Sequence, residues 1–285
     1  MKPLAVHLDT DIGDDIDDAF CLALMLSSPE LTVTSVSTVF MNTAVRADLV
    51  SEMCKVGGQS PVVVEGLQGV MASRPVDVST RKPNHLASKT YERPAADVLK
   101  VLDHARRVCE AVLTIGPMTD LAASLLARPY DGSGRAIAMA GEFQRSRHIE
   151  WNIRVDPEAA AVCFNSGLPI DLIPWSIGPA VKLRPQDVDR IRASSKPIAK
   201  LLLNYLEQFW KHVPNKTNMY DPMTVVALLR PDLFTWERGR VTVELRGDAT
   251  YGMTNFNHDE AGPHRVAMDV KADEARAFLV DRICT

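Results

Sequence analysis

The stretch DTDIGDDIDDA, residues 9–19, places six aspartates directly after the apolar run LAVHL of residues 4–8. Two carboxylates about 4 Å apart repel by roughly 1 kcal/mol even in bulk water, and by more near a protein surface. Such a run requires compensation. The apolar segment at 4–9, the acidic turn and the helical pattern at 17–27 read as a strand, a loop and a helix. The theme repeats. Runs rich in Val, Ile and Thr at 31–39 (LTVTSVSTV), 61–64 (PVVV), 110–115 (EAVLTI), 135–140 (RAIAMA) and 169–175 (PIDLIPW) alternate with helical patterns at 43–56, 94–107, 119–127 and 156–166. The last of these opens on Asp156 and Pro157, an N-cap followed by a proline at the first helical position.

Alternation of this kind is the signature of βαβ units, so the expected fold is α/β, with a mostly parallel central sheet flanked by helices. From residue 184 the character changes to a helix-rich elaboration, LRPQDVDRIRASSKPIAKLLLNYLEQFWKHV. Two strand-like runs, VTVELRG and HRVAMDV, and a last helix, ADEARAFLVDRI, follow it. No internal repeat, low-complexity tract or linker divides the chain, which predicts one domain over 1–285.

Composition narrows the class of function. The chain has 285 residues and a formal charge of −4, with no long basic run, so nucleic acid is not an expected partner. No stretch approaches 18 uninterrupted apolar residues, and the start MKPLAVHLD lacks the pattern of a secretory leader. A cytoplasmic protein without a membrane partner is expected. Cys21, Cys54, Cys109, Cys163 and Cys284 are scattered and odd in number, which points to core positions rather than disulfides or a zinc site. A small molecule is the expected partner.

In an open parallel sheet, ligands sit beyond the carboxyl ends of the strands, where the aspartate run falls. Helix capping and the helix dipole account for one or two of the six. A hard divalent cation accounts for more, because such ions take carboxylate oxygens. The run is not an EF-hand: counting from Asp9, positions 6 and 12 are Asp14 and Phe20 instead of glycine and glutamate. Asp9-Thr10-Asp11 also resembles the start of haloacid dehalogenase-type phosphatases, but Gly13 stands where that family has Thr or Val.

A broader resemblance covers nearly the whole chain. DTDIGDDIDDA resembles the D-x-D-P-G-x-D-D-A signature of the inosine-uridine-preferring nucleoside hydrolase family, with Ile12 for proline and Asp14-Asp15 as two extra residues. Four segments in the right order add to it. STVFMNT is similar to T-V-x-G-N, with Met41 for glycine, and LTIGPMTDLA to G-P-L-T-N-L-A. EWNIRVDPEAA resembles E-F-N-x-x-x-D-P-E-A-A, and YDPMTVVALLRPDLF resembles H-D-P-x-A-V-x-x-x-L-x-P-x-L-F. YGMT at 251–254 resembles a further family segment.

The resemblance implies a nucleoside hydrolase fold, Rossmann-like, and a Ca2+-dependent N-ribohydrolase forming a homo-oligomer. It implies a Ca2+ held by Asp11, Asp18, the Ile115 carbonyl and Asp221, with Asp11 as the base that activates water. Asp17, Asn42, Glu150 and Asn152 fall in sugar-binding places, Met139 is a further substrate-binding candidate, and Gln144 falls near the sugar 5′ end. Many members carry a histidine before the distal Asp-Pro that protonates the leaving base; here that residue is Tyr220, either a hydrogen-bond donor to the base or a packing residue. Tyr205, Phe209 and Trp210 are candidates for the base pocket, although their spacing equally suits an amphipathic core face. His85 is a loop histidine, and Arg145, Arg147 and His148 either answer an acidic group on the substrate or form a solvated surface. Two other readings stay open: a nucleoside-binding or sensing protein without efficient turnover, and a phosphatase acting through Asp9 and Asp11.

Overall fold

The computed structural model describes residues 2–78, 86, 89–93, 96–144 and 148–285. β1 (Leu4–Thr10), α1 (Asp17–Leu26), β2 (Leu31–Thr38), α2 (Thr43–Val56) and β3 (Val62–Glu65) form the first half-unit. α3 (Val98–Val108), β4 (Ala111–Thr114), α4 (Thr119–Ala127), β5 (Ala136–Met139), α5 (Trp151–Val155), α6 (Pro157–Asn165) and β6 (Ile170–Ile173) form the second. The elaboration comprises α7 (Pro185–Ala193), α8 (Pro197–Trp210), α9 (Pro222–Leu229), β7 (Phe234–Val243), β8 (Thr254–His258), β9 (His264–Val270) and α10 (Ala272–Cys284).

All nine strands join one sheet in the order β3-β2-β1-β4-β5-β6-β9-β7-β8. Every pairing from β3 to β9 is parallel, and only β7 runs antiparallel to its neighbours β9 and β8. The central strands are covered on both faces and so read as near-continuous buried runs. On one side α1 packs with α2, α8, α9 and α10; on the other α3, α4 and α6 pack in series. α1 is buried along its whole length, its two aspartates included, as expected of a helix with no polar face.

A polar seam runs through the center of the sheet. The buried His7 ring shares hydrogen bonds with Ser35 Oγ (2.8 Å) and Ser37 Oγ (3.0 Å), and Ser37 donates to Asp9 Oδ1 at 2.5 Å. Burial lowers the His7 pKa to about 3, so the ring is neutral. Burial and the adjacent Asp120 raise that of Asp9 well above the usual carboxylate range.

The six strands expected up to residue 175 are β1 to β6, with shifts of one or two residues. Three features differ from expectation. The helix expected at 94–107 begins at Val98, where the Asp97 side chain caps the amides of Leu99 and Lys100. The run VTVELRG begins inside a longer strand that starts at Phe234. α5 and β8 are short elements that periodicity did not reveal, β8 being a mostly exposed edge strand. Among the described residues no helix is long and apolar enough to cross a membrane.

Candidate active site

From β1 the chain moves outward to β2 and β3, then returns to β4 on the other side of β1. The loops leaving β1 and β4 therefore part company, and a crevice opens between them. Asp11 follows β1 and Ile115 follows β4. A Cβ at Gly116 would lie 3.0 Å from the Asp11 amide nitrogen and 2.8 Å from Val39 Cγ1. The close approach of the two loops thus depends on a residue without a side chain.

The amino ends of two helices complete the crevice. α1 opens on Asp17 and Asp18, and Asp221 precedes Pro222 at the head of α9. One carboxylate oxygen from each of Asp17, Asp18 and Asp221 lies within 4.8 Å of the others. Asp17 Oδ2 accepts from the Tyr220 amide (3.2 Å) and the Asp221 amide (3.4 Å), binding the two distant segments. Thr10 Oγ1 donates to Asp18 Oδ1 at 2.6 Å. Burial, then the charge of Asp11 and Asp17, holds the Asp18 pKa well above its usual range. Burial followed by Asp17 and Asp18 does the same to Asp221. Asp17 is pushed up to about 7, first by burial and then by Asp15. Burial is the main cause of these shifts and the neighbouring carboxylates add to it, and a buried group of carboxylates fits the donor set of a divalent cation.

The two remaining aspartates of the loop have protein partners. Arg46, fully buried on α2, donates Nη2 to Asp14 Oδ2 at 3.1 Å. Its other nitrogens reach the carbonyls of Asp11, Ile12 (2.8 Å) and Phe40 (2.9 Å), so one guanidinium fastens the β1–α1 loop to the β2–α2 loop. Lys216 Nζ pairs with Asp15. Burial works against this ammonium, yet Asp15 and Asp17 outweigh it and hold the Lys216 pKa above its usual value.

The crevice encloses a cavity of about 340 Å³. The carboxylates, Ile115, Met139, Glu150 and Asn152 line it together with Trp151, Trp175, Phe209, Val213, Lys216 and Tyr220. Glu150 is the N-cap of α5 and accepts from the amides of Asn152 (2.7 Å), Ile153 (3.1 Å) and Gly141 (3.1 Å). Burial nevertheless raises its pKa to about 7, against the opposing pull of those amides. Asn152 Nδ2 donates to the carbonyls of Ile115 (2.8 Å) and Met139 (3.0 Å). Each carbonyl keeps a second lone pair. The Trp175 ring stacks near Tyr220 at 6.2 Å between centroids, with His148 behind it at 4.3 Å.

The family profile described as inosine-uridine preferring nucleoside hydrolase matches residues 6–278. The chain belongs to this family. Membership makes it an N-ribohydrolase. It is 26% identical to the pyrimidine-specific ribonucleoside hydrolase RihA of Escherichia coli strain SMS-3-5, over 98% of this chain and 96% of that one. It is 29% identical, with the same coverage, to RihA of Enterobacter sp. strain 638. Among solved structures, the plant nucleoside hydrolase PpNRh1 superposes with a TM-score of 0.80 at 25% identity over 99% of both chains. The purine-preferring ribonucleoside hydrolase from Gardnerella vaginalis shares the fold, with a TM-score of 0.82 at 21% identity over 98% of both.

Against this nucleoside hydrolase frame, the expected site residues divide into two groups. Asp11, Asp17, Asp18, Ile115, Met139, Glu150, Asn152, Tyr220 and Asp221 all line the cavity, as does Phe209. Four others do not. Asn42 is the exposed N-cap of α2, its Oδ1 accepting from the Val45 amide at 3.3 Å. Gln144 is exposed and donates to the Met268 carbonyl at 2.5 Å, which turns it away from the crevice. Tyr205 is a core residue whose hydroxyl donates to Glu52 at 2.6 Å. Trp210 packs against the core and holds the Lys216 carbonyl through Nε1 at 3.0 Å, supporting the cavity from behind. Asp9, the nucleophile a phosphatase would need, is fully buried in the sheet seam and does not line the cavity. His85, Arg145 and Arg147 lie outside the described residues.

Sequence reasoning missed Arg46, Lys216, Trp151 and Trp175. The first two carry a signal only in retrospect: the loop has two inserted aspartates, and each has found a cation.

Proposed function

We propose that this nucleoside hydrolase is a Ca2+-dependent enzyme that cleaves the N-glycosidic bond of ribonucleosides to free base and ribose. The observation that carries the reading is the meeting of Asp17 and Asp18 with Asp221 in a buried cluster. Asp11, Asp18, Asp221 and the Ile115 carbonyl would hold the ion. A mixed set of carboxylates and a backbone carbonyl suits Ca2+ better than Mg2+, which keeps most of its waters. When bound, such an ion polarises the oxygens it touches.

The chain's own groups then divide the work. Asp11 takes a proton from a water attacking the anomeric carbon. Asp17 and Glu150 accept from sugar hydroxyls, and their charge stabilises the cationic sugar of the transition state in a water-poor pocket. Asn152 holds the Ile115 carbonyl in place. The aromatic residues Trp175, Tyr220 and Phe209 provide the apolar wall for the base.

A panel of ribonucleosides assayed for reducing sugar, with and without a chelator and with Ca2+ restored, tests the proposal. Ribose release that vanishes on chelation and returns with Ca2+ is expected, together with a loss of about 10²–10⁴-fold in Asp11→Asn. A wild-type rate in that variant removes Asp11 as the base. One observation supports a second reading, a nucleoside-binding protein: Tyr220, whose pKa burial raises further, is a weaker acid than a histidine. Ca2+-dependent nucleoside binding without ribose release would establish it.

A further inference from the structure

Lys216 is the single basic side chain among the described residues lining a cavity that seven carboxylates also line. Cleavage of a glycosidic bond separates charge in two directions: the sugar becomes positive, and the base nitrogen keeps the bonding electron pair. Carboxylates favour the first and oppose the second. Some group must meet the negative charge on the departing base. Tyr220 stands in the place the family resemblance gives to a histidine, and a phenol is a weaker acid than an imidazolium. Its hydroxyl also accepts a hydrogen bond from Asn218 Nδ2 at 2.8 Å.

Lys216 lines the cavity together with Trp175, Phe209 and Tyr220, the wall proposed for the base. It pairs with Asp15 and shares the cavity with Asp17 and Tyr220. Its backbone is fixed at several points. Trp210 Nε1 holds the carbonyl of Lys216, the Leu183 amide donates to Thr217 O at 3.1 Å, and the Met219 amide donates to Val181 O at 2.9 Å. Asn215, immediately before it, takes a left-handed backbone conformation with φ at 60°. A fixed cation costs little reorganisation at the moment of reaction.

Resting on the hydrolase reading, we propose that Lys216, held by the inserted Asp15, is the residue that stabilises the departing base as an anion. In this step the C1′–N bond breaks with both electrons passing to the base. The C1′–O bond forms from water, whose proton goes to Asp11. The base anion leaves paired with the ammonium of Lys216 and takes a proton from solvent.

The test compares uridine and inosine with 4-nitrophenyl β-D-ribofuranoside, whose leaving group needs no such help. In Lys216→Met, kcat on the two nucleosides should fall about 100-fold, the scale of losing one preorganised donor, while nitrophenyl riboside cleavage is little changed. Lys216→Arg, which keeps the charge, should recover most of the lost nucleoside rate. Retained nitrophenyl activity doubles as proof of folding. Equal losses on both substrate types, no loss on either, or failure of Lys216→Arg to recover activity would overturn the assignment. A wild-type protein that releases ribose from none of the three compounds would instead overturn the hydrolase reading itself.

Discussion

The Tyr220 ring lies flat against Gly178, so closely that a Cβ at 178 would come 1.9 Å from Tyr220 Cδ1. Gly178 belongs to the 3₁₀ turn Trp175–Ala180, and the contact seats the tyrosine beside Trp175. Gly178→Ala should therefore displace the ring into the cavity. Overpacking of this kind costs about 1–3 kcal/mol. The expected outcome is a rise of about tenfold in KM for a ribonucleoside, equivalent to about 1.4 kcal/mol, with steady-state kinetics as the measurement. An unchanged KM would show that the ring does not contact substrate.

Arg46 makes its hydrogen bonds entirely inside the protein. Arg46→Met leaves Asp14 and three loop carbonyls without their donor, and breaking a buried pair costs about 3–5 kcal/mol. The Arg46→Lys variant should recover little, because a lysine has no planar fork to span separate carbonyls. Urea unfolding midpoints decide this. Near-wild-type stability in either variant would refute it.

Asn152 Nδ2 donates to the Ile115 carbonyl at 2.8 Å, and both residues line the cavity with Asp18 and Asp221. Partners that orient metal ligands are worth about 10–100-fold in metal affinity. Asn152→Ala should weaken Ca2+ binding by this factor in calorimetry, with little change in the unfolding midpoint of the chelated protein. Unaltered affinity would mean that the carbonyl takes no part in holding the ion.

The proton inventory of the site gives a pH prediction. Asp17 and Glu150 have folded pKa values raised to about 7, and Asp18 and Asp221 are raised as well. A carboxyl raised above its unfolded value contributes stability that is complete below the unfolded pKa, about 4, and is lost as pH rises through about 7. Chelated protein should thus lose this contribution between about pH 4 and 7, whereas Ca2+ should restore it at the upper end. Calorimetry near pH 6 should register proton release on Ca2+ addition, and tighter binding at higher pH. Proton uptake would contradict the sign.

Much of the fold was legible because the chain states it locally. Each of β1, β2, β4, β5 and β6 is a short apolar run between helical patterns, and Asp156-Pro157 announces α6 without reference to anything distant. β8, with its polar TNFNH, had no such signal, because an exposed edge strand needs no apolar face. The site follows the same rule. Residues in contiguous motifs, Asp11, Asp17 and Asp18 and then Glu150 and Asn152, line the cavity. Asn42 and Gln144 do not: Asn42 caps its own helix, and Gln144 holds the Met268 carbonyl, 124 residues away, a contact that spacing cannot reveal. Arg46, Lys216 and Gly178 owe their roles to contacts with Asp14, Asp15 and Tyr220, 32 to 201 residues away, and nothing beside them in the chain points to these.

The pairing of Asp17 with the amide of Asp221 spans 204 residues of chain. During synthesis the amino-terminal strands emerge first and can pair with each other, but the third acid of the trio arrives only when some three-quarters of the polypeptide has left the ribosome. A product ending before α9 lacks Asp221, β7, β8 and β9, so the three-carboxylate cluster is assembled only once nearly the whole chain is available.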